Sequence, residues 1–183
     1  PPDEAVPLIG GRAAAIRSGE AVRAARAGAT TLSCVIAGSV LPYPGLFALL
    51  DGLEVAVRDD DLSLGRRLFD RAVPGSGDPW ERVARSMLER SPGAVKWDRD
   101  LGRGERFAGL AARAGVKHAI VPLFKFCDPW AWDFPSIRSC LQKKEIGTLG
   151  LELAGGEDLE GGAIRNRVEA YFEMDRVSEL FDV

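Results

Sequence analysis

The stretch His118–Asp128, which reads HAIVPLFKFCD, decides the fold of this chain. After the histidine, every residue up to Phe124 is apolar, and Ile120 and Val121 are β-branched. Such a run is typical of a strand that is buried on both faces of a parallel sheet. A cysteine, an aspartate and a proline follow at 127–129 and end it. The stretch therefore predicts a buried strand whose carboxyl end carries Cys127.

Further apolar runs of strand length lie on either side of this stretch, at 32–37, 54–57 and 148–153. Helical patterns separate them, and strands that alternate with helices pair in parallel through right-handed crossovers. The sequence therefore predicts an α/β fold. We expect an open, mostly parallel sheet of about four strands with helices on both faces, a three-layer arrangement of the Rossmann or flavodoxin type.

The helices are predicted from apolar spacing, glycine stops and proline starts. They are expected at 12–27, 46–50, 64–73, 79–90, 107–114, 135–145 and about 160–179. The side chains expected to face inward are Leu64, Leu68 and Val73, then Trp80, Val83, Ala84 and Met87, and in the last helix Ile164, Val168, Tyr171 and Phe172. Residues 1–29 are assigned to a helical segment or linker, and residues 30–183 to the α/β domain.

Composition excludes several classes of protein. The 183 residues carry 24 Lys and Arg against 27 Asp and Glu, a net charge of −3, which disfavours binding to nucleic acid through a basic face. No run approaches the roughly 20 apolar residues of a membrane span. Three cysteines without close spacing do not make a disulfide framework, so we expect a cytoplasmic protein. The chain begins with Pro1 rather than Met, which suggests that a natural N-terminal part is missing.

Ligands of open parallel sheets bind at the carboxyl ends of the strands. This rule selects the loops at 38–44, 59–65, 125–132 and 154–162. Cys127 lies in the third loop, where its thiolate could hold a metal or cluster, or where it could instead be a buried structural cysteine. Cys34 and Cys140 are expected in the core, and His118 is expected to be structural or merely exposed.

Several other residues of these loops have a functional and a structural interpretation. Asp60 and Asp61 could form the polar floor of an active site, or belong to a solvated loop with a helix cap. Trp130 and Trp132 could wall a pocket, or close the core under their loop. Arg165 and Arg167 could bind phosphate, pair with a partner subunit, or lie on a solvated face.

Four segments together resemble the 2-hydroxyacyl-CoA dehydratase and benzoyl-CoA reductase family. They are GSVLPYPGLFALLDGLEVAV (38–57), GLEVAVRDDDLSLGRR (52–67), KFCDPWAWDFPSIR (125–138) and EGGAIRNRVEAYFEM (160–174). They occur in the family's order, and the resemblance spans about residues 30–176. Within the family, the chain is most similar to the C-terminal part of a subunit of the 2-hydroxyglutaryl-CoA dehydratase D-component type.

The resemblance implies a function. Family subunits pair as two related α/β chains and hold a [4Fe-4S] cluster through three cysteines. An ATP-dependent activator protein supplies a low-potential electron under anaerobic conditions. The acyl-CoA substrate is reduced to a ketyl radical that expels its hydroxyl group, or an aromatic ring is reduced instead.

The family's site residues carry over in part. Cys127 matches the cysteine of the third element and is the expected metal ligand, whereas Ser63 stands where the family usually has its middle cysteine. The first cysteine belongs to a domain that this chain is expected to lack, so the isolated chain should hold no intact cluster. The resemblance places Ser63, Asp60 and Asp61 in the catalytic site.

The resemblance also assigns Arg165, Arg167, Trp130 and Trp132 to acyl-CoA. Cys127 is expected to be partly accessible and to line a pocket shared with the loop at 59–65. A dehydratase subunit is the first interpretation. A benzoyl-CoA reductase-like subunit and a degenerate, non-catalytic partner subunit are the alternatives, the latter because of Ser63.

Overall fold

A computed structural model describes residues 32–41, 45–68, 70–73, 75–93, 102–154 and 162–181 of the chain, without the side chains of 175–181. The chain divides into two units, residues 1–31 and 32–183, and every described residue belongs to the second. The helix predicted at 12–27 lies outside the described residues.

The described part contains a four-stranded parallel sheet. Its strands are β1 (Ser33–Ala37), β2 (Ala56–Asp61), β3 (His118–Phe124) and β4 (Gly147–Leu153). They are ordered β2-β1-β3-β4, and all three pairings are parallel. The prediction of an open parallel sheet with His118–Phe124 as an inner strand is therefore confirmed.

The described part also contains five helices, four of which pack on the two faces of this sheet. They are α1 (Gly45–Gly52), α2 (Pro79–Glu89), α3 (Arg103–Ala114), α4 (Asp128–Gln142) and α5 (Gly162–Phe181), and a 3-10 turn at Arg66–Leu68 follows β2. Two of the predicted helix ends are confirmed. Asp78 caps α2 by accepting the amides of Trp80 and Glu81 at 3.0 and 3.1 Å, and α3 ends where Gly115 adopts φ 65°.

The strands send alternate side chains into two core layers. Cys34, Ile36 and Ile120 enter the first layer, with α1 and α5, whereas Val35 and Val121 enter the second layer, with α3 and α4. The predicted inward stripe of α5 is confirmed, since Ile164, Val168 and Phe172 are buried and Tyr171 is half-buried. Apolar burial on both faces is what holds a parallel sheet together, so the three-layer prediction is correct.

The segment after β2 differs most from expectation. The helix predicted at 64–73 is wrong, because only Arg66–Leu68 forms a turn of 3-10 helix, and Leu64 and Val73 are exposed. The strand predicted at 54–57 begins and ends later, so the acidic run at 59–61 belongs to β2 itself. The carboxylates of Asp59, Asp60 and Asp61 therefore belong to the last residues of the strand rather than to the loop that follows it.

Helix α4 begins seven residues earlier than predicted. Cys127 ends the strand turn, and its carbonyl accepts the amides of Trp130 and Ala131 at 3.1 and 3.2 Å, so the helix starts at Asp128 with Pro129 in its first turn. A proline is well accommodated there because its missing amide has no helical partner anyway. Pro135 is inside the helix, where the prediction had placed a first turn.

Helix α2 carries its apolar side chains outward. The inward face predicted for it is wrong, because Trp80 is 83% exposed and Val83, Ala84 and Met87 are exposed as well. Its buried residue is Ser86. None of the described helices combines the length and the apolar character that a membrane span requires.

Candidate functional site

The loops after β1 and β2 are joined by main-chain hydrogen bonds at the carboxyl edge of the sheet. The amide of Gly38 donates to the carbonyl of Asp61 at 3.3 Å, and the amide of Ser63 donates to the carbonyl of Ser39 at 3.0 Å. Ser63 is half-buried beside these bonds. The loops after β1 and β2, two of those predicted to form the ligand site, are therefore in direct contact.

Asp60 shapes the turn that replaces the predicted helix. Its Oδ1 accepts the amides of Leu62 and Arg66 at 3.0 and 2.9 Å. A Cβ on Gly65 would lie 2.0 Å from that oxygen, so only glycine leaves room for the carboxylate. Asp59 accepts the amide of Asp60 and pairs with Arg66. An aspartate that bonds local amides competes with helix formation, which explains why the helix is absent here.

Arg67 lies at the centre of this edge and is only 5% exposed. Its Nη2 donates to the carbonyl of Gly38 and, at 3.2 Å, to the hydroxyl of Ser63. Its Nε lies 3.5 Å from Asp61 Oδ1, and its guanidinium carbon lies 5.5 Å from the centre of the Trp130 ring. One side chain therefore ties together the ends of β1 and β2 and the start of α4.

Asp61 and Arg67 form a buried ion pair. Burial raises the pKa of Asp61 above its ordinary 3.8, and the charges of Arg67 and Arg106 partly oppose that rise. Burial also lowers the pKa of Arg67, and the Asp61 carboxylate opposes it. Each charge is tolerated in the interior because the other is present.

Cys127 lies where the sequence predicts it, after inner strand β3 and directly before α4. It is half-buried, so the prediction of partial accessibility is confirmed. Its neighbour Phe126 has φ 66° and a side chain that is 99% exposed. A left-handed backbone costs a phenylalanine about 1–2 kcal/mol, and such strain is typical of functional loops.

The two tryptophans do not share one wall. Both lie on α4 rather than in a loop, and a separation of two residues turns them to different faces of the helix. Trp130 is buried in the second core layer beneath Arg67, whereas Trp132 is 81% exposed. Trp132 lies beside the ion pair of Arg103 and Asp133, whose atoms are 2.7 Å apart.

Arg165 and Arg167, the predicted phosphate ligands, are exposed on α5. They lie far along the chain from the turn after β2. Arg165 lies 3.4 Å from the Glu169 carboxylate, and Arg167 donates to the Gly150 carbonyl at 3.0 Å. The structure therefore shows contacts within the chain for both residues, and their assignment to acyl-CoA stays a prediction.

The remaining candidates are structural in the described part. Cys34 is fully buried in β1, and Cys140 packs against the second core layer, where burial raises the pKa of its thiol. His118 is buried at the opening of β3, with Nδ1 3.2 Å from the Tyr171 hydroxyl. The placements of Cys34 and His118 agree with the sequence predictions, whereas Cys140, predicted in the core, is half-buried at the margin of the core.

The residues of the described part do not make a complete iron–sulfur site. Protein-held clusters typically need about three or four cysteine ligands, and Cys127 alone combines a thiol with a place at the strand ends. Across the described ranges, no three His, Cys, Asp or Glu side chains are grouped as metal ligands. A cluster would need further ligands from elsewhere.

A cavity of about 230 Å³, which was not predicted from the sequence, lies between the end of β2, the turn after it and α3. Its lining residues are Asp61, Arg66, Arg67, Asp70, Arg71, Ser91, Arg106, Phe107, Leu110 and Arg113. Cys127 does not line it. The signal in the sequence is the spacing of Arg106, Leu110 and Arg113, which repeats along one face of a helix.

Comparison with known proteins identifies relatives of the chain. A family model described as 2-hydroxyglutaryl-CoA dehydratase, D-component, matches residues 2–174. The chain is 26% identical over 141 residues to the lactoyl-CoA dehydratase subunit beta of Anaerotignum propionicum, which covers 76% of the chain and 37% of that relative. It is 22% identical over 112 residues to the (R)-phenyllactyl-CoA dehydratase beta subunit of Clostridium sporogenes, covering 61% and 30%.

A further relative is the (R)-2-hydroxyglutaryl-CoA dehydratase, subunit beta, of Acidaminococcus fermentans. It is 23% identical over 116 residues, which cover 61% of the chain and 31% of that relative. The chain therefore spans about a third of the length of the curated relatives it matches.

The turn after β2 yields a test of its own. Gly65→Ala should lower the free energy of unfolding by about 1–3 kcal/mol, because the added Cβ displaces the Asp60 carboxylate and breaks its hydrogen bonds to the amides of Leu62 and Arg66. Gly52→Ala is the matched control, since nothing lies within 4 Å of its added Cβ. Denaturant unfolding would measure both, and equal stability of the two variants would contradict the role of Asp60.

The buried ion pair yields a second test. Arg67→Met should lower the free energy of unfolding by about 3–5 kcal/mol, because it leaves Asp61 charged and unpaired in the interior. Combining it with Asp61→Asn should recover part of that loss, which a double-mutant cycle in urea would measure. Additive losses from the two substitutions would show that the charges are not coupled.

Proposed function

Because the chain belongs to the family of the 2-hydroxyglutaryl-CoA dehydratase D-component, we propose that it is a subunit, or part of a subunit, of an enzyme that dehydrates a 2-hydroxyacyl-CoA. The observation that carries this proposal is the set of three relatives, all of them beta subunits of dehydratases. Their acyl groups differ, so the class of substrate is proposed and not the particular acyl group. The reductase-like and non-catalytic alternatives are not favoured, since the relatives are all named as dehydratase subunits.

Two features at the carboxyl ends of the strands support this function. Phe126 and Cys127 form an exposed turn, and the buried Arg67 holds the Gly38 carbonyl and the Ser63 hydroxyl in place. We propose that Ser63 faces the substrate, and that Asp60 and Asp61 act as positioning residues. Asp60 shapes the turn after β2, and Asp61 holds the charge of Arg67.

Cys127 is proposed to contribute one thiolate to an iron–sulfur cluster whose other ligands lie elsewhere. A thiolate is the donor type that such clusters use, and a bound cluster supplies one-electron chemistry. The activator protein and a cytoplasmic location are proposed from the resemblance and from the free cysteines. The [4Fe-4S] type follows from the resemblance alone.

A related subunit is the proposed partner, because the relatives are beta subunits. Helix α2 supplies surface for it, since Trp80, Met87 and Leu88 are exposed apolar side chains on one short helix. Exposed apolar patches of this kind are typical of protein interfaces. We propose that the partner subunit covers α2.

The function is tested on the natural protein, purified without oxygen together with its co-purifying partners. Dehydration of lactoyl-CoA, phenyllactyl-CoA and 2-hydroxyglutaryl-CoA would be assayed with Cys127→Ala and with the matched control Cys140→Ala. We expect Cys127→Ala to abolish activity and lower the iron content, and Cys140→Ala to keep both. An inactive natural protein with all three thioesters, or equal effects of the two variants, would contradict the proposal.

The partner surface is tested by sedimentation. Trp80→Lys with Met87→Lys should weaken association with the related subunit by at least about tenfold, because charges would enter a desolvated interface. Met174→Lys, on α5, is the matched control for an equally exposed apolar residue. Retention of the partner by the α2 variant would show that the interface lies elsewhere.

A further inference from the structure

The cavity beside Asp61 is strongly cationic. Five guanidinium groups line it, from Arg66, Arg67, Arg71, Arg106 and Arg113, against the two carboxylates of Asp61 and Asp70. We refer to it as the arginine cavity. Like charges held together cost free energy unless a counter-charge is present, so such a lining favours an anion.

The neighbouring carboxylates neutralise only part of this charge. Asp61 lies 3.5 Å from Arg67, and Asp59 pairs with Arg66. Asp70 uses Oδ2 to accept the amide of Ser91 at 2.8 Å and acts on Arg67 through its charge. Its other oxygen, Oδ1, is buried without a hydrogen-bond partner among the described residues. A protonated oxygen of a bound anion would satisfy it.

Two of the other arginines, Arg71 and Arg106, bond to main-chain atoms. Arg71 Nε donates to the carbonyl of Glu89 at 3.2 Å, and Arg106 Nη2 donates to the carbonyl of Pro92 at 3.1 Å. A carbonyl orients a guanidinium without neutralising it. Neither Arg106 nor Arg113 forms an ion pair within the described part of the chain, so both bring positive charge to the same face of α3.

A second and independent observation is the state of Arg67. This side chain is 95% buried; its Nε faces Asp61 Oδ1 at 3.5 Å, and its Nη1 has no hydrogen-bond partner within the described ranges. Nη1 packs against Gly93, where an added Cβ would lie 3.0 Å from it, so glycine is what leaves room for this guanidinium. A buried charged donor without a partner is costly, so a ligand that accepts from Nη1 recovers that free energy.

The size of the arginine cavity limits what it accepts. Its volume of about 230 Å³ is below the ~300–1,000 Å³ of pockets that enclose a whole drug-sized ligand. It therefore suits one charged group rather than an entire cofactor. Guanidinium forks match the oxygens of phosphate in pairs, and the apolar walls formed by Phe107 and Leu110 strengthen those bonds by excluding water.

We propose that the arginine cavity binds a phosphate group. Two sources share this chemistry, the phosphates of the coenzyme A part of an acyl-CoA and a free phosphate or pyrophosphate ion. Only the choice of coenzyme A rests on the proposed function. In that case the cavity deepens the function by adding an anchor for the coenzyme next to the strand ends, with which it shares Arg67.

The proposal is tested by calorimetry on the purified chain at low ionic strength, with pyrophosphate as the probe. Arg106→Gln and Arg113→Gln should each weaken binding by about tenfold, the effect of one charge-assisted hydrogen bond. Arg138→Gln is the matched control, because Arg138 is exposed on α4 and does not line the cavity. Circular dichroism would establish that each variant is folded.

The two sources are separated by competition. Coenzyme A should displace pyrophosphate, and pantetheine, which has no phosphate, should not. Binding of pyrophosphate without displacement by coenzyme A would keep the phosphate site and assign it to a free ion, with no bearing on the dehydratase assay. Absence of pyrophosphate binding, or equal weakening by Arg138→Gln, would overturn the proposal even if the protein is an active dehydratase.

Discussion

The buried contact between Arg67 and the strand ends is the constraint on which the candidate site depends. Its guanidinium reaches the Gly38 carbonyl, the Ser63 hydroxyl and the Asp61 carboxylate, and it lies over Trp130. Burying a charge is costly unless it is paired and hydrogen-bonded. The ends of β1 and β2 and the start of α4 therefore stay together, because moving one of them away would leave a charge unpaired in the interior.

The sheet could be predicted because its signals are local and mutually consistent. Apolar runs of strand length alternate with helical segments, and burial on both faces leaves His118–Phe124 no other place than inside a sheet. The position of Cys127 follows from the same run, since a strand end is visible as a change from apolar to polar residues. These features need no knowledge of contacts between distant residues.

The rest of the site depends on contacts that spacing does not show. The carboxylate of Asp60 takes over the amides that a helix would have used, so the apolar spacing after β2 was misleading. In the sequence, Arg67 is one of many charged residues. It is buried because it contacts both Asp61, at the end of β2, and Gly38, just after β1, and the sequence does not show that these two positions meet. The arginine cavity likewise combines side chains from β2, the turn after it and α3. Apolar periodicity in α2 indicated burial, although periodicity alone does not say whether the chain itself supplies the cover.

Helix α2 also has a consequence for the life of the protein in the cell. In the described part of the chain, Trp80, Met87 and Leu88 lie exposed on the surface. Chaperones and proteases select for exposed apolar side chains, and steady-state abundance follows that selection. If a second subunit covers this helix, a chain produced in excess of that subunit is exposed to degradation. Degradation of the excess chains would then keep the amounts of the two subunits equal.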